Sequence, residues 1–312
     1  MSEDEAEKYD ENFVPRQIAW QFGCIVTLIQ PTVILKQGSN VRPSEESAMR
    51  LVRKQLPNIP VPVVDGSFYE CDEAGPAYGE LLMSFIPGRT LKSAWAELDK
   101  AVKDRICQDI WDLVAQIRSI PRPDDLGTNL YRTVDGSPSR DPLLGSRHDI
   151  APRDLDDDTL RGRIWSRYIA TNGLSYRDSA DIPDTLPRSS TSVFAHGDIN
   201  PRNIIVDEKC HIVGLLDWES SGWFPDYWEF AQMMKFCDPA EHEWQRWMKE
   251  TRPEPWDITA IQKARRAPAN LGLILVCTEY MWMDMCNRKG KVQLLEESQL
   301  APAEPTRRLE GK

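Results

Sequence analysis

The stretch Val193–Glu219, VFAHGDINPRNIIVDEKCHIVGLLDWE, decides how this chain is read. It sets Asp198, Asn203 and Asp217 among short apolar runs, a density of polar groups that needs a reason. NIIV and HIVGLLD flank the turn DEKC and read as a β-hairpin. Asn203 follows Asp198 by five positions, and Asp217 closes the second strand, where a carboxylate returns to the same end of the sheet. Asp and Asn favour such turns for local hydrogen bonds alone. The joint spacing favours a site instead.

The sequence has 312 residues, enough for one large bilobal unit or two modest domains. With 41% hydrophobic and 28% charged residues it has the balance of a globular protein, and no apolar run reaches the roughly 18 residues of a membrane helix. LGLILVC (Leu271 to Cys277) is the longest candidate and reads as a buried helix segment. A net charge of −11 disfavours nucleic acid and tolerates a cationic small molecule. The acidic start MSEDEAEKYDEN lacks the basic and apolar regions of a secretory signal, so the expected location is the cytoplasm. Seven cysteines without a CxxC pair then read as reduced thiols, and four histidines show no zinc spacing. Oligomeric state stays open.

Outward from the opening stretch, the chain is strand-rich first and helix-rich later. Residues 1–19 read as a flexible lead-in. CIVTLI (24–29) and TVILK (32–36) read as strands joined at Gln30-Pro31. PSEESAMRLVRKQL reads as a helix with Ser44 as its N-cap and a stripe of Met49, Val52 and Leu56. Glu45 falls on that stripe, four residues before Met49, whereas Glu46 is turned away. VPVVDGSFY (61–69) and GELLMSFI (79–86) read as further strands, and PGRTL breaks the pattern like a hinge. Val102, Ile106, Ile110, Leu113 and Ile117 mark a long helix, residues 121–160 an irregular stretch. More helices are expected near 158–171, 225–237, 240–249 and 257–285, the last interrupted near Pro268. The resulting expectation is an α+β protein of two lobes, at 20–86 and 87–287, with a polar tail at 288–312.

HGDINPRN, followed by GLLDWE and GWFPDYWEF, resembles the aminoglycoside phosphotransferase and choline kinase-like family of the protein-kinase-like fold, in its fungal form. The resemblance implies ATP- and Mg²⁺-dependent transfer of a γ-phosphoryl group to a hydroxyl of a small molecule. In a kinase catalytic loop an Asp takes the hydroxyl proton, an Asn five residues on holds magnesium, and an Asp on the next hairpin holds magnesium too. Carried over, this makes Asp198 the catalytic base, Asn203 and Asp217 magnesium ligands, and His196 the brace of the loop. Such types suit the task because Mg²⁺ prefers oxygen ligands and an alcohol must be aligned in line with the phosphate. The resemblance also implies that Lys36 grips the α/β-phosphates while paired with Glu45, which the helical stripe independently turns inward. Met83, Phe85 and Ile86 would line the adenine site through the backbone and the Phe85 ring, and an ordinary buried strand is the alternative there.

The sequence departs from that pattern in places. No G-x-G-x-x-G precedes Lys36, and the Pro31 turn offers few N–H groups for phosphate. Asn200 stands where serine/threonine protein kinases carry a Lys, and D-F-G and A-P-E are absent, so a protein acceptor is disfavoured. Glu219 reads equally as a metal or amine ligand and as a strand-end acid. Arg202 reads as a possible phosphate contact or an exposed loop residue. Trp218, Trp223, Phe224, Tyr227 and Trp228 read as core before acceptor wall, while Asp226, Glu229, Asp238, Glu241 and Glu243 would suit a cationic acceptor if not simply solvated. The competing function is a kinase-like nucleotide-binding or interaction protein without useful turnover. The intact set of Asp198, Asn203 and Asp217 argues for the enzyme.

Overall fold

The structure, a computed structural model, describes residues 10–271 apart from 22, 73, 74, 147 and 178. An antiparallel sheet of five strands comes first: β1 (Arg16–Gln21), β2 (Cys24–Gln30), β3 (Val33–Gly38), β4 (Val64–Asp72) and β5 (Gly75–Ser84), in the order β1-β2-β3-β5-β4. β1 corrects the expectation of a lead-in up to residue 19, since Arg16 pairs with Leu28 and Gln21 with Cys24. It also changes which turn lies nearer Lys36. In the β2–β3 register Val26 faces Lys36 while Gln30 faces Val33, so the β1–β2 turn lies at the Lys36 end of the sheet and the Pro31 turn at the far end. Gly23 takes φ 73° in the β1–β2 turn, a left-handed value that glycine adopts without steric cost.

Helix α1 (Pro43–Gln55) follows β3 and places acids in its first turn and bases in its last, matching the helix dipole. Pro43 opens it, because proline's fixed φ and missing N–H suit the first helical position. The start therefore falls before Ser44. Arg42 occupies the cap position without a side-chain cap, and the Ser44 hydroxyl instead donates to the Glu219 carbonyl at 3.3 Å. Ala48, Met49 and Val52 are buried on the same helix as Glu45.

The remainder is mainly helical around two small sheets. One joins β6 (Arg89–Thr90) to the hairpin β9 (Ile204–Val206) and β10 (Ile212–Leu215); the other joins β7 (Arg132–Thr133), β8 (Ser192–Ala195) and β11 (Gly222–Pro225). Helix α2 (Lys100–Ile117) is capped by Asp99, whose carboxylate accepts the Val102 N–H, and buries Ile106, Ile110, Val114 and Ile117. The irregular stretch is tied down by ion pairs: Arg132 to Asp154 at 2.6 Å, and Arg163 to Asp149 at 2.6 Å. Helix α3 (Asp157–Ala170) packs beyond it. Later come α4 (Trp228–Met233), α5 (His242–Thr251) and α6 (Thr259–Leu271), and α6 runs through Pro268 rather than breaking there. The segment 272–312, including most of LGLILVC and the tail, lies outside the described residues.

The five aromatics of the opening region are core. Trp218, Phe224, Tyr227 and Trp228 are at most 2% exposed and Trp223 6%, with Tyr131 edge-on to Trp228 at 5.1 Å. Each such side chain contributes about 1.5–3 kcal/mol by burial, so this cluster fixes the floor on which the opening stretch sits. No helix among the described residues is long and apolar enough to cross a membrane.

Candidate active site

The opening stretch folds as a braced loop. β8 ends at Ala195, and His196 follows, fully buried, with its ring 4.5 Å from Trp218. His196 Nδ1 accepts the Asp198 N–H at 3.1 Å, which leaves Nε2 to donate to the Leu216 carbonyl at 3.0 Å. Burial lowers the pKa of His196 and so favours this neutral tautomer. The histidine thus links the loop of Asp198 to the strand end that carries Asp217. Gly197 stands between them at φ 82°, where a Cβ would meet the Ser220 carbonyl oxygen at 2.3 Å. Only glycine fits.

Glu229, on α4, is the acid whose role the sequence hid. It is 2% exposed, and its carboxylate accepts the His196 N–H at 2.7 Å and the Gly197 N–H at 3.1 Å. It braces the loop rather than facing an acceptor. The other acids offered for a cationic acceptor are also committed: Asp238 and Glu241 to Lys92, Glu243 to Lys103, and Asp226 to Ser189.

Asp198 is 8% exposed. Its Oδ2 accepts Asn203 Nδ2 at 2.9 Å, Asn200 Nδ2 at 3.1 Å and Arg202 Nη2 at 3.4 Å, and its Oδ1 accepts Lys235 Nζ. Burial works against its charge, but Lys235 and Arg202 outweigh that and bring the carboxyl down to about 2. Because Asn203 Nδ2 also donates to the Asp198 carbonyl at 3.0 Å, its own side-chain oxygen is left as the atom able to meet a hard cation.

On β3, Lys36 Nζ lies 2.7 and 2.9 Å from the two Glu45 oxygens and 2.9 Å from Asp217 Oδ1. Burial opposes the ammonium charge, yet Asp217 and Glu45 hold Lys36 well above its usual range. Burial raises Glu45, which Lys36 partly offsets. Asp217 takes φ 69°, a left-handed conformation that costs a non-glycine residue about 1–2 kcal/mol and turns its carboxylate back toward β3. Glu45, Asp217 and Glu219 each bring a ligand oxygen within 4.8 Å of the others; Lys36 engages both Glu45 oxygens, so Asp217 and Glu219 are the hard-oxygen carboxylates left for Mg²⁺, which takes one or two. Burial, with the Asp217 charge second, pushes Glu219 up to about 7. The residues present fit a divalent cation.

At the hinge, Met83 is 7% exposed and pairs with Ile34 and Val64 in the sheet. The Phe85 N–H donates to the Thr32 carbonyl at 2.7 Å, so that amide is not available to an adenine. Ile86 lies against Gly214, where a Cβ would meet its side chain at 3.1 Å. Two surface hollows lie elsewhere, about 800 Å³ beside Lys100 and Trp247 and about 460 Å³ beside Arg132 and Trp223. Lys36, Glu45, Asp198, Asn203, Asp217 and Glu219 line neither, and the chemistry of their side chains identifies the site.

With this geometry in view, the likeness to known proteins is clear. Residues 34–256 match the model of a phosphotransferase enzyme family, and the chain belongs to that family. No curated protein matches the chain in sequence. Among solved structures, it is similar to the GDP and kanamycin complex of APH(2")-IIia, at 11% identity and TM-score 0.52 over 88% of this chain and 91% of that one. It is likewise similar to the gentamicin complex of APH(2")-IIa, at 14% identity and TM-score 0.51 over 86% of each chain. A third is the streptomycin-ATP-APH(2")-IIa ternary complex, at 15% identity and TM-score 0.50 over 85% of this chain and 83% of that one. At these identities the likeness establishes the fold, which is the bilobal α+β fold of the kinase-like phosphotransferases.

Proposed function

We propose that the protein transfers the γ-phosphoryl group of a purine nucleoside triphosphate, ATP first, to a hydroxyl of a small molecule. The observation that carries this reading is the Lys36–Glu45–Asp217 triplet tied to the Asp198–Asn203 loop, where Leu216, next to Asp217, donates its N–H to the Asn203 carbonyl at 2.8 Å. The triplet offers a buried cation for phosphate and carboxylates for metal; the loop offers a carboxylate for an alcohol. In this reading Asp198 orients the acceptor hydroxyl and takes its proton. Asn203 and Asp217, with Glu219 beside them, would hold Mg²⁺, which when bound neutralises phosphate charge. His196 and Glu229 keep Asp198 in place.

The turn before Lys36 no longer argues against nucleotide binding. Its place is taken by the proline-free β1–β2 turn with left-handed Gly23, and a turn of this kind can aim N–H groups at an anion. That answers the Pro31 objection; the missing G-x-G-x-x-G, the motive for a binding module without turnover, stands. Met83, Ile86 and the hinge backbone other than the Phe85 amide are proposed to bound the base. A cationic acceptor draws support from the net charge of −11 and from the aminoglycosides named for the similar structures, although Asp226, Glu229, Asp238, Glu241 and Glu243 are engaged internally.

Differential scanning fluorimetry with Mg²⁺ and ATP, repeated with GTP, tests the nucleotide half of this reading. A stabilising shift that needs Mg²⁺ and is lost in Asp217→Asn is expected. The absence of any shift with either nucleotide would contradict it.

A further inference from the structure

Resting on the phosphotransferase reading, we propose that Lys235 is a catalytic residue that grips the transferring phosphoryl group, supplied from outside the catalytic loop. Asp198 divides its two oxygens unequally. Oδ2 accepts from Asn200, Asn203 and Arg202, all within five positions of it, and Oδ1 accepts from Lys235, 37 positions away. An acceptor hydroxyl that gives its proton to Asp198 needs Oδ1, because Oδ2 is crowded by loop donors. Lys235 is the donor built to yield. Its side chain is 35% exposed, whereas its backbone is fixed: the Lys235 carbonyl accepts Gln245 Nε2 at 2.7 Å, and Met233, two residues earlier, accepts the same amide at 2.9 Å.

A lysine released from Oδ1 has a destination. Reacting atoms in a near-attack geometry lie about 3–3.5 Å apart, so the phosphoryl oxygens stand within one hydrogen bond of the hydroxyl held by Asp198. In the step, the alcohol O–H bond breaks and its proton goes to Asp198 Oδ1. The alcohol oxygen bonds to the γ-phosphorus, and the bond from that phosphorus to the bridging oxygen breaks, releasing the nucleoside diphosphate. Lys235 keeps its protons and supplies charge to the oxygens of the moving group. Asn200 occupies the loop position where a lysine stands in serine/threonine protein kinases, and in this proposal the cation comes instead from Lys235, the residue after the C-cap of α4.

The test measures binding of Mg-ADP alone, and of Mg-ADP with aluminium fluoride as a phosphoryl mimic, to wild type, Lys235→Met and Lys235→Arg by calorimetry. Wild type is expected to bind more tightly with fluoride. Lys235→Met should lose about 10- to 100-fold of that gain, the equilibrium worth of one hydrogen bond to a charged group, with Mg-ADP affinity held within about twofold. Lys235→Arg should restore most of it. An undiminished fluoride gain in Lys235→Met would make Lys235 a mere counter-ion of Asp198 and leave the phosphotransferase reading standing. Failure of wild type to bind Mg-ADP would overturn both.

Discussion

Lys36 and Asp217 stand 181 positions apart in the sequence and 2.9 Å apart in space. Their ion pair, shared with Glu45, joins the five-stranded sheet to the hairpin of the opening stretch. It brings the proposed phosphate and metal groups together.

Glu45 holds the Lys36 ammonium through both carboxylate oxygens, and in the proposed reading it keeps that ammonium directed when Asp217 takes the metal. Glu45→Gln is expected to cost about 3 kcal/mol of stability, the low end for breaking a buried pair because Asp217 remains. ATP affinity should fall with it. Urea unfolding and nucleotide titration on the same preparation check this, and an unchanged affinity would remove Glu45 from the nucleotide site.

Glu229 satisfies two buried backbone N–H groups of the Asp198 loop. Glu229→Ala orphans both, at about 1–3 kcal/mol each, and should lower turnover as the loop loosens. Glu229→Gln keeps one acceptor oxygen and should lose about half as much stability. Equal stability of all three proteins in urea would count against the brace.

Gly197→Ala places a methyl against the Ser220 carbonyl at a left-handed φ. The backbone alone costs about 1–2 kcal/mol, and the overlap adds to it. A melting temperature equal to wild type would mean that the loop relaxes freely, contrary to the account.

Asp141 links the irregular stretch to the later helices: Gln232 Nε2 donates to it at 2.6 Å and Arg265 lies 3.5 Å away. Burial disfavours its charge, but Arg265, the Leu143 N–H at 2.8 Å and Gln232 hold it below the ordinary carboxylate range. A lowered folded pKa contributes stability that is complete above the unfolded value of about 3.9 and is lost as pH falls through the folded one. Asp141→Asn should therefore be less stable at pH 7 and show a shallower loss of stability on acidification below about pH 4. Urea midpoints from neutral to acid pH would expose an unchanged acid limb.

What the sequence made legible was local. Glu45 could be turned inward because its stripe residues lie within one helix, and the Asp198–Asn203 spacing lies within one loop. β1 escaped because RQIAWQ follows an acidic start and alternates poorly, and its strand character comes from pairing with β2. Ser44 looked like a cap until Pro43 took the first helical position. The roles of Glu229 and Lys235 depend on partners 33 and 37 positions upstream, which no periodicity reports. The aromatics could be assigned to the core because dense Trp, Tyr and Phe bury themselves wherever they fall.

The most direct measurement follows ADP formation by the purified protein with Mg²⁺ and ATP across a panel of hydroxylated small molecules, beside Asp198→Ala. Acceptor-dependent turnover is expected that Asp198→Ala abolishes, while the variant still unfolds cooperatively in urea at a cost of about 3 kcal/mol for the buried partner of Lys235 and Arg202 that it removes. Equal turnover in the two proteins, with an acceptor present, would contradict the assignment of Asp198 and the site built around it.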